Sequence, residues 1–139
     1  MATFNKFDSF VEALAEKVHN LGADTLKIML TNSAPVASNT VKANITEISA
    51  GNGYTAGGTA ASISSSSQTS GTYKLVLSDV IFTASGGSIG PFRYLVLYND
   101  TASNDELIGW YDYGSNLTLS NGETLTVDFD ATTGVLTIA

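Results

Sequence analysis

Between Pro91 and Gly114 the chain reads PFRYLVLYNDTASNDELIGWYDYG, its most apolar and aromatic stretch. Phe92, Tyr94, Val96 and Tyr98 alternate with Arg93, Leu95 and Leu97. Both sets are largely apolar, so a strand made from them is covered on both faces and belongs in the middle of a sheet. Asn99 to Glu106 then gathers turn formers and charge, after which Leu107, Ile108, Trp110, Tyr111 and Tyr113 resume a β pattern. Two strands joined by a polar loop result, and the rest of the chain is expected to be arranged around them.

Most of the remaining patterning is also β. Leu26, Ile28 and Leu30 alternate with Lys27, Met29 and Thr31, which predicts a half-buried strand over Asp24–Thr31. A short strand is expected around Ile45 and Ile48, another over Thr59–Ile63, and a long one over Tyr73–Ala84 with a bulge or bend at Ser78-Asp79. Ser64–Gly71 is a low-complexity polar run and reads as a loop. Leu117 and Leu119 form a short strand, Ser120-Asn121-Gly122-Glu123 is a turn, Leu125, Val127 and Phe129 alternate after it, and Val135–Ile138 ends the chain as a strand. Eight or nine strands with frequent turns and no helical crossovers predict an antiparallel β-sandwich or barrel. Gly51-Asn52-Gly53-Tyr54-Thr55-Ala56 formally matches a dinucleotide-binding fingerprint, but no helix follows to hold a pyrophosphate. It reads as a glycine loop using positive φ, anchored by Tyr54.

One helix is expected, within about residues 5–21, because Phe7, Phe10, Val11, Leu14, Val18 and Leu21 recur three and four apart. Asn5 is the expected N-cap, and His19, Asn20 and Gly22 the C-terminal stop. The β-sandwich then occupies about residues 24–139 of a single domain spanning 1–139.

Composition narrows the function classes. Thirteen acids against six bases give a net charge of −7, the wrong sign for gripping a phosphate backbone, so no nucleic-acid partner is expected. The 139 residues include no cysteine, which removes disulfides and thiolate metal sites. No apolar run is long enough for a membrane span and no secretory leader is visible, so a soluble, intracellular start is expected. His19, the sole histidine, reads as a polar helix-end residue, and without a second base no acyl-transfer machinery is suggested. Asp128 and Asp130 read as a solvated strand face, and after Asp128-x-Asp130-x-Thr132, Gly134 falls one place late for an EF-hand loop, with no bidentate glutamate following. No catalytic residue, metal or cofactor is therefore expected. Trp110, Tyr111 and Tyr113 are the residues suited to stacking on a sugar, although Trp110 points opposite to the two tyrosines. Phe7, Phe10, Leu14, Tyr54, Phe92, Tyr94, Tyr98, Trp110, Tyr111 and Tyr113 are the packing or interface candidates.

Five stretches, DTLKIMLTNSAP, ITEISAGNGYTAGGTA, PFRYLVLYNDTA, LIGWYDYG and NGETLTVDFDATTGVLTIA, resemble small virion structural proteins of tailed bacteriophages and prophages. The chain is most similar to head decoration, or cement, proteins. The resemblance implies a jelly-roll-like domain on the capsid exterior, made in the host bacterial cytoplasm and binding between major capsid subunits as a homodimer or homotrimer. It also leaves open a tail or tail-fibre module, with carbohydrate binding as its function.

Overall fold

A computed structural model describes residues 2–139. In chain order its elements are β1 (Phe4–Lys6), α1 (Ser9–Ala15), β2 (Leu26–Thr31), β3 (Thr59–Ala61), β4 (Ile63–Thr69), β5 (Thr72–Leu77), β6 (Val80–Thr83), β7 (Ile89–Asn99), β8 (Leu107–Leu119), β9 (Thr124–Val127) and β10 (Leu136–Ile138), with a 3-10 turn at Lys42–Asn44. Antiparallel pairing builds a five-stranded sheet in the order β1-β8-β7-β2-β3, a three-stranded sheet β10-β5-β4 and a ribbon β6-β9. The fold is a mainly antiparallel β-sandwich with one helix, the class that the strand patterning predicts. No helix among the described residues is long and apolar enough to cross a membrane.

β7 is the central strand of the large sheet and is covered on both faces, as its apolar pattern demands. Leu95 and Leu97 join Leu26, Ile28 and Leu30 of β2 in the main core, against Leu75, Leu77, Val80 and Phe82 of the smaller sheets. Val96 and Tyr98 point the other way, with Met29, into a second cluster completed by Phe7, Ile45 and Leu107. β2 is consequently buried on both faces and not half-buried as expected, because Phe7 and Ile45 cover what would have been its solvent side. Phe92 also departs from simple alternation. It lies in the main core with Leu95 and Leu97, since the pairing with β8 shifts register between Phe92 and Tyr94 and reverses the parity there.

The helix is much shorter than residues 5–21. Its first expected turn is strand β1, which pairs Phe4, Asn5 and Lys6 with Tyr111, Trp110 and Gly109 of β8. Asn5 does not cap the helix; its side chain bonds the Trp110 carbonyl at 3.3 Å. The helix also ends early, at a left-handed Lys17 (φ 68°), with Val18 N–H donating to the Ala13 carbonyl and Lys17 N–H to that of Leu14. That is a Schellman arrangement with lysine where glycine is usual, so neither His19 nor Gly22 stops the helix. The expected stripe is divided: Phe7 enters the outer cluster, Phe10 the main core, Leu14 packs on its margin, and Val11 and Val18 are exposed.

The glycine loop behaves as read. Gly51, Gly53, Gly57 and Gly58 all have positive φ, and Tyr54 is buried. The Tyr54 hydroxyl accepts from the Leu30 N–H at 3.0 Å and donates to Glu47 at 2.6 Å. It thus occupies the edge of β2 beyond the last β3 pair, Ile28 with Thr59. The segment around Ile45 and Ile48 is not a regular strand; it is the 3-10 turn followed by one bridge between Thr31 and Glu47. At Ser78-Asp79 the chain does more than bulge, since β5 belongs to the three-stranded sheet and β6 to the ribbon.

Ser64–Gly71 is not a loop. It forms β4 and a tight turn to β5 through Ser70 (φ 51°) and Gly71 (φ 84°), the twist that suits a two-residue hairpin. Leu117 and Leu119 likewise belong to one long β8 and not to a separate strand.

Candidate functional site

Of the ten aromatic and apolar candidates, Phe7, Phe10, Tyr54, Phe92 and Tyr98 are buried inside the protein. Leu14, Tyr94, Trp110 and Tyr111 are half-buried, and Tyr113 is exposed. The sugar-stacking trio is divided between the two faces of β8. The Trp110 ring packs against Phe7 with centroids 4.6 Å apart, whereas Tyr111 packs between Phe4 and Phe129 on the opposite face. No common aromatic platform forms.

His19 differs most from its sequence reading. It is buried, 4% exposed, with its ring against Phe10. Asn99 fixes its protonation state: the Asn99 carboxamide oxygen accepts from the Thr101 and Ala102 N–H groups, so its NH₂ faces His19 Nδ1 at 3.0 Å and Asp24 at 2.7 Å. Nδ1 therefore accepts, the proton sits on Nε2, and Nε2 is buried without a partner. Burial lowers the His19 pKa below its ordinary 6.5, and the nearby Glu106 and Asp24 only partly oppose this. The unfolded chain then binds more protons than the folded one between the lowered pKa and 6.5. Stability from this residue is complete above pH 6.5 and is lost as pH falls through that window. Thermal melts from pH 7.5 to 5.5 should show a falling midpoint in the wild type and a flatter profile in His19→Gln.

Two surface features extend beyond the predicted candidates. The first is the rim of the three-stranded sheet. β4 is its terminal strand, and ISSSSQT carries neither charge nor proline, the devices that usually guard an open edge. Ser66 turns inward to bond the Tyr73 hydroxyl at 2.9 Å, while Ser65 and Ser67 share the other face. Reading the serine run as a loop concealed this edge. The only sequence signal for it was Ser70-Gly71 between two β-compatible runs.

The second is a cavity of about 360 Å³ between the large sheet and the ribbon, with Phe4, Leu95, Tyr111, Leu125 and Val127 among its walls. Tyr113, Asp128 and Asp130 also line it. Burial pushes the Tyr111 pKa up to about 12, with no hydrogen bond contributing. Asp130 is held below the usual carboxylate range by the Thr132 N–H and the Thr133 hydroxyl. These bonds, with that of the Gly134 N–H to the Asp130 carbonyl, make Asp130–Gly134 a self-capped turn.

The chain matches no family model, no curated protein and no solved structure.

Proposed function

We propose that this is a virion structural protein of a tailed bacteriophage or prophage, acting as a decoration protein that binds between major capsid subunits and reinforces the head. The resemblance of five stretches to such proteins supports the identity of the class. The observation that carries the mode of action is the β4 edge: beyond the irregularity between Ile63 and Ser65, its regular part carries no charge or proline and its outer side has no neighbour in the sheet. An extended segment of a capsid subunit adding to that edge gains main-chain hydrogen bonds along its length, and the short hydroxyl side chains order at little entropic cost. Weak contacts of this kind hold firmly when an oligomer repeats them over a closed lattice. A homodimer or homotrimer is the assembly this reading requires.

For the tail-fibre, sugar-binding reading the structure offers Tyr111 and Tyr113, which line one cleft, while Trp110 packs on Phe7 at the opposite face of β8.

Cryo-EM of particles from the phage or prophage that encodes the chain tests the proposal, with density expected on the head at subunit junctions. Density confined to the tail, or none on the particle, overturns it. Ser65→Lys with Ser67→Lys places two charges on the β4 edge without touching either core, and should reduce head occupancy at least tenfold with an unchanged melt. Full occupancy in that variant would move the contact elsewhere.

A further inference from the structure

The cavity beside β9 has three properties that together specify an occupant. Its interior is apolar, formed by the inward faces of both layers where they part: Phe4, Leu95 and Tyr111 from the large sheet, Leu125 and Val127 from the ribbon. Two of the contributing strands end their sheets, since β1 pairs only with β8 and β9 only with β6. Their outer backbone N–H and C=O groups face no further strand, which is the arrangement that accepts an added one. Finally, the lining includes Asp128 and Asp130 but no lysine, arginine or histidine. Lys74 donates to the Ala131 and Thr132 carbonyls at 3.4 and 3.0 Å, and neither aspartate has an ion pair among the described residues.

We infer that this cleft receives an extended segment of a partner polypeptide in which apolar side chains alternate with lysine or arginine. Successive side chains of a strand point to opposite sides, and residues two apart lie about 6.6 Å from each other. One face of such a segment fills the cleft while its basic residues reach the carboxylates at the rim. A volume near 360 Å³ is at the lower end for a ligand pocket and matches a few side chains better than a whole small molecule with its own polar groups. The chemistry is the same whether the partner is a capsid subunit or another chain, so the cleft and the β4 edge are tested separately.

The probe is the peptide acetyl-Lys-Val-Lys-Val-Lys-amide, titrated into the ¹⁵N-labelled full chain. Shifts are expected at the amides of residues 3–6 and 124–129, with millimolar affinity that weakens as salt is raised. The Glu-Val-Glu-Val-Glu and Lys-Ser-Lys-Ser-Lys peptides should leave those amides unmoved. Asp128 is exposed; Asp128→Asn should weaken the first peptide about two- to fivefold with the melt unchanged, the range for one exposed charge pair. Equal binding by the glutamate peptide, shifts confined to other regions, or no shifts at all overturns the inference. Hexylammonium binding as tightly as the peptide also overturns it, because strand addition is then unnecessary. Concentration-dependent shifts of the same amides without peptide would assign the cleft to a second copy of the chain and overturn it as well.

Discussion

Gly58→Ala is expected to abolish the native fold at ordinary temperature, at a cost of about 4 kcal/mol or more. Two penalties coincide at this residue. Its φ is +80°, a conformation that costs an ordinary residue about 1–2 kcal/mol. A Cβ at Gly58 would also overlap the carbonyl oxygen of Ile28 and lie 2.8 Å from the Met29 Cα, both backbone atoms of β2. β2 cannot retreat, because its other edge pairs with the central strand β7 and its side chains are buried on both faces. Gly71→Ala is the control: its φ is +84° but nothing lies within 4 Å of the added methyl, so only the conformational cost of about 1–2 kcal/mol applies. Chemical denaturation of the two variants separates close approach from backbone conformation. Similar modest losses in both would show that β2 yields.

Phe7→Ala should destabilise the protein by about 3–5 kcal/mol, and Trp110→Ala by about 3 kcal/mol. Phe7 has no exposed surface and anchors the outer cluster with Met29, Ile45, Val96, Tyr98 and Leu107, over which Trp110 packs. This cluster is far smaller than the main core, so it has few residues able to collapse into the space left by a lost ring. Because the two rings touch, the double variant should lose less than the sum of the single losses. Strict additivity in urea unfolding would show that Phe7 and Trp110 are energetically separate. A melt unaffected by Trp110→Ala would return that residue to the list of exposed binding groups.

How a residue's local pattern relates to its final place is clearest where pattern and place disagree. Phe4–Leu21 has apolar spacing suited to a long helix, yet an isolated helix of that length is marginal, and pairing of β1 with β8 together with burial of Phe7 and Phe10 in different clusters outweighs its propensity. The serine run shows the same override in the other direction. Polar, loop-like residues form β4 because the Ser70-Gly71 turn folds them back on β5, whose Leu75, Val76 and Leu77 are buried.

The residues by themselves determined the β class, the central and doubly covered position of β7, the polar connection after Asn99, and the turning of the chain at its glycine loop with Tyr54 as anchor. Each follows from periodicity or turn chemistry within a dozen residues, where backbone geometry is decided locally. Only the tertiary structure decided that the serine run is an edge strand, that His19 is buried beneath Asn99, and that Phe7 and Phe129 are the rings that meet the two opposite faces of β8 at Trp110 and Tyr111. It alone decided, too, that Phe4, Leu95 and Val127 meet around one cleft. Those outcomes depend on which distant strands pair and in what register. A shift of one residue moves a side chain to the other face, and such a shift is set by contacts more than a hundred residues apart, as between Phe4 and Tyr111.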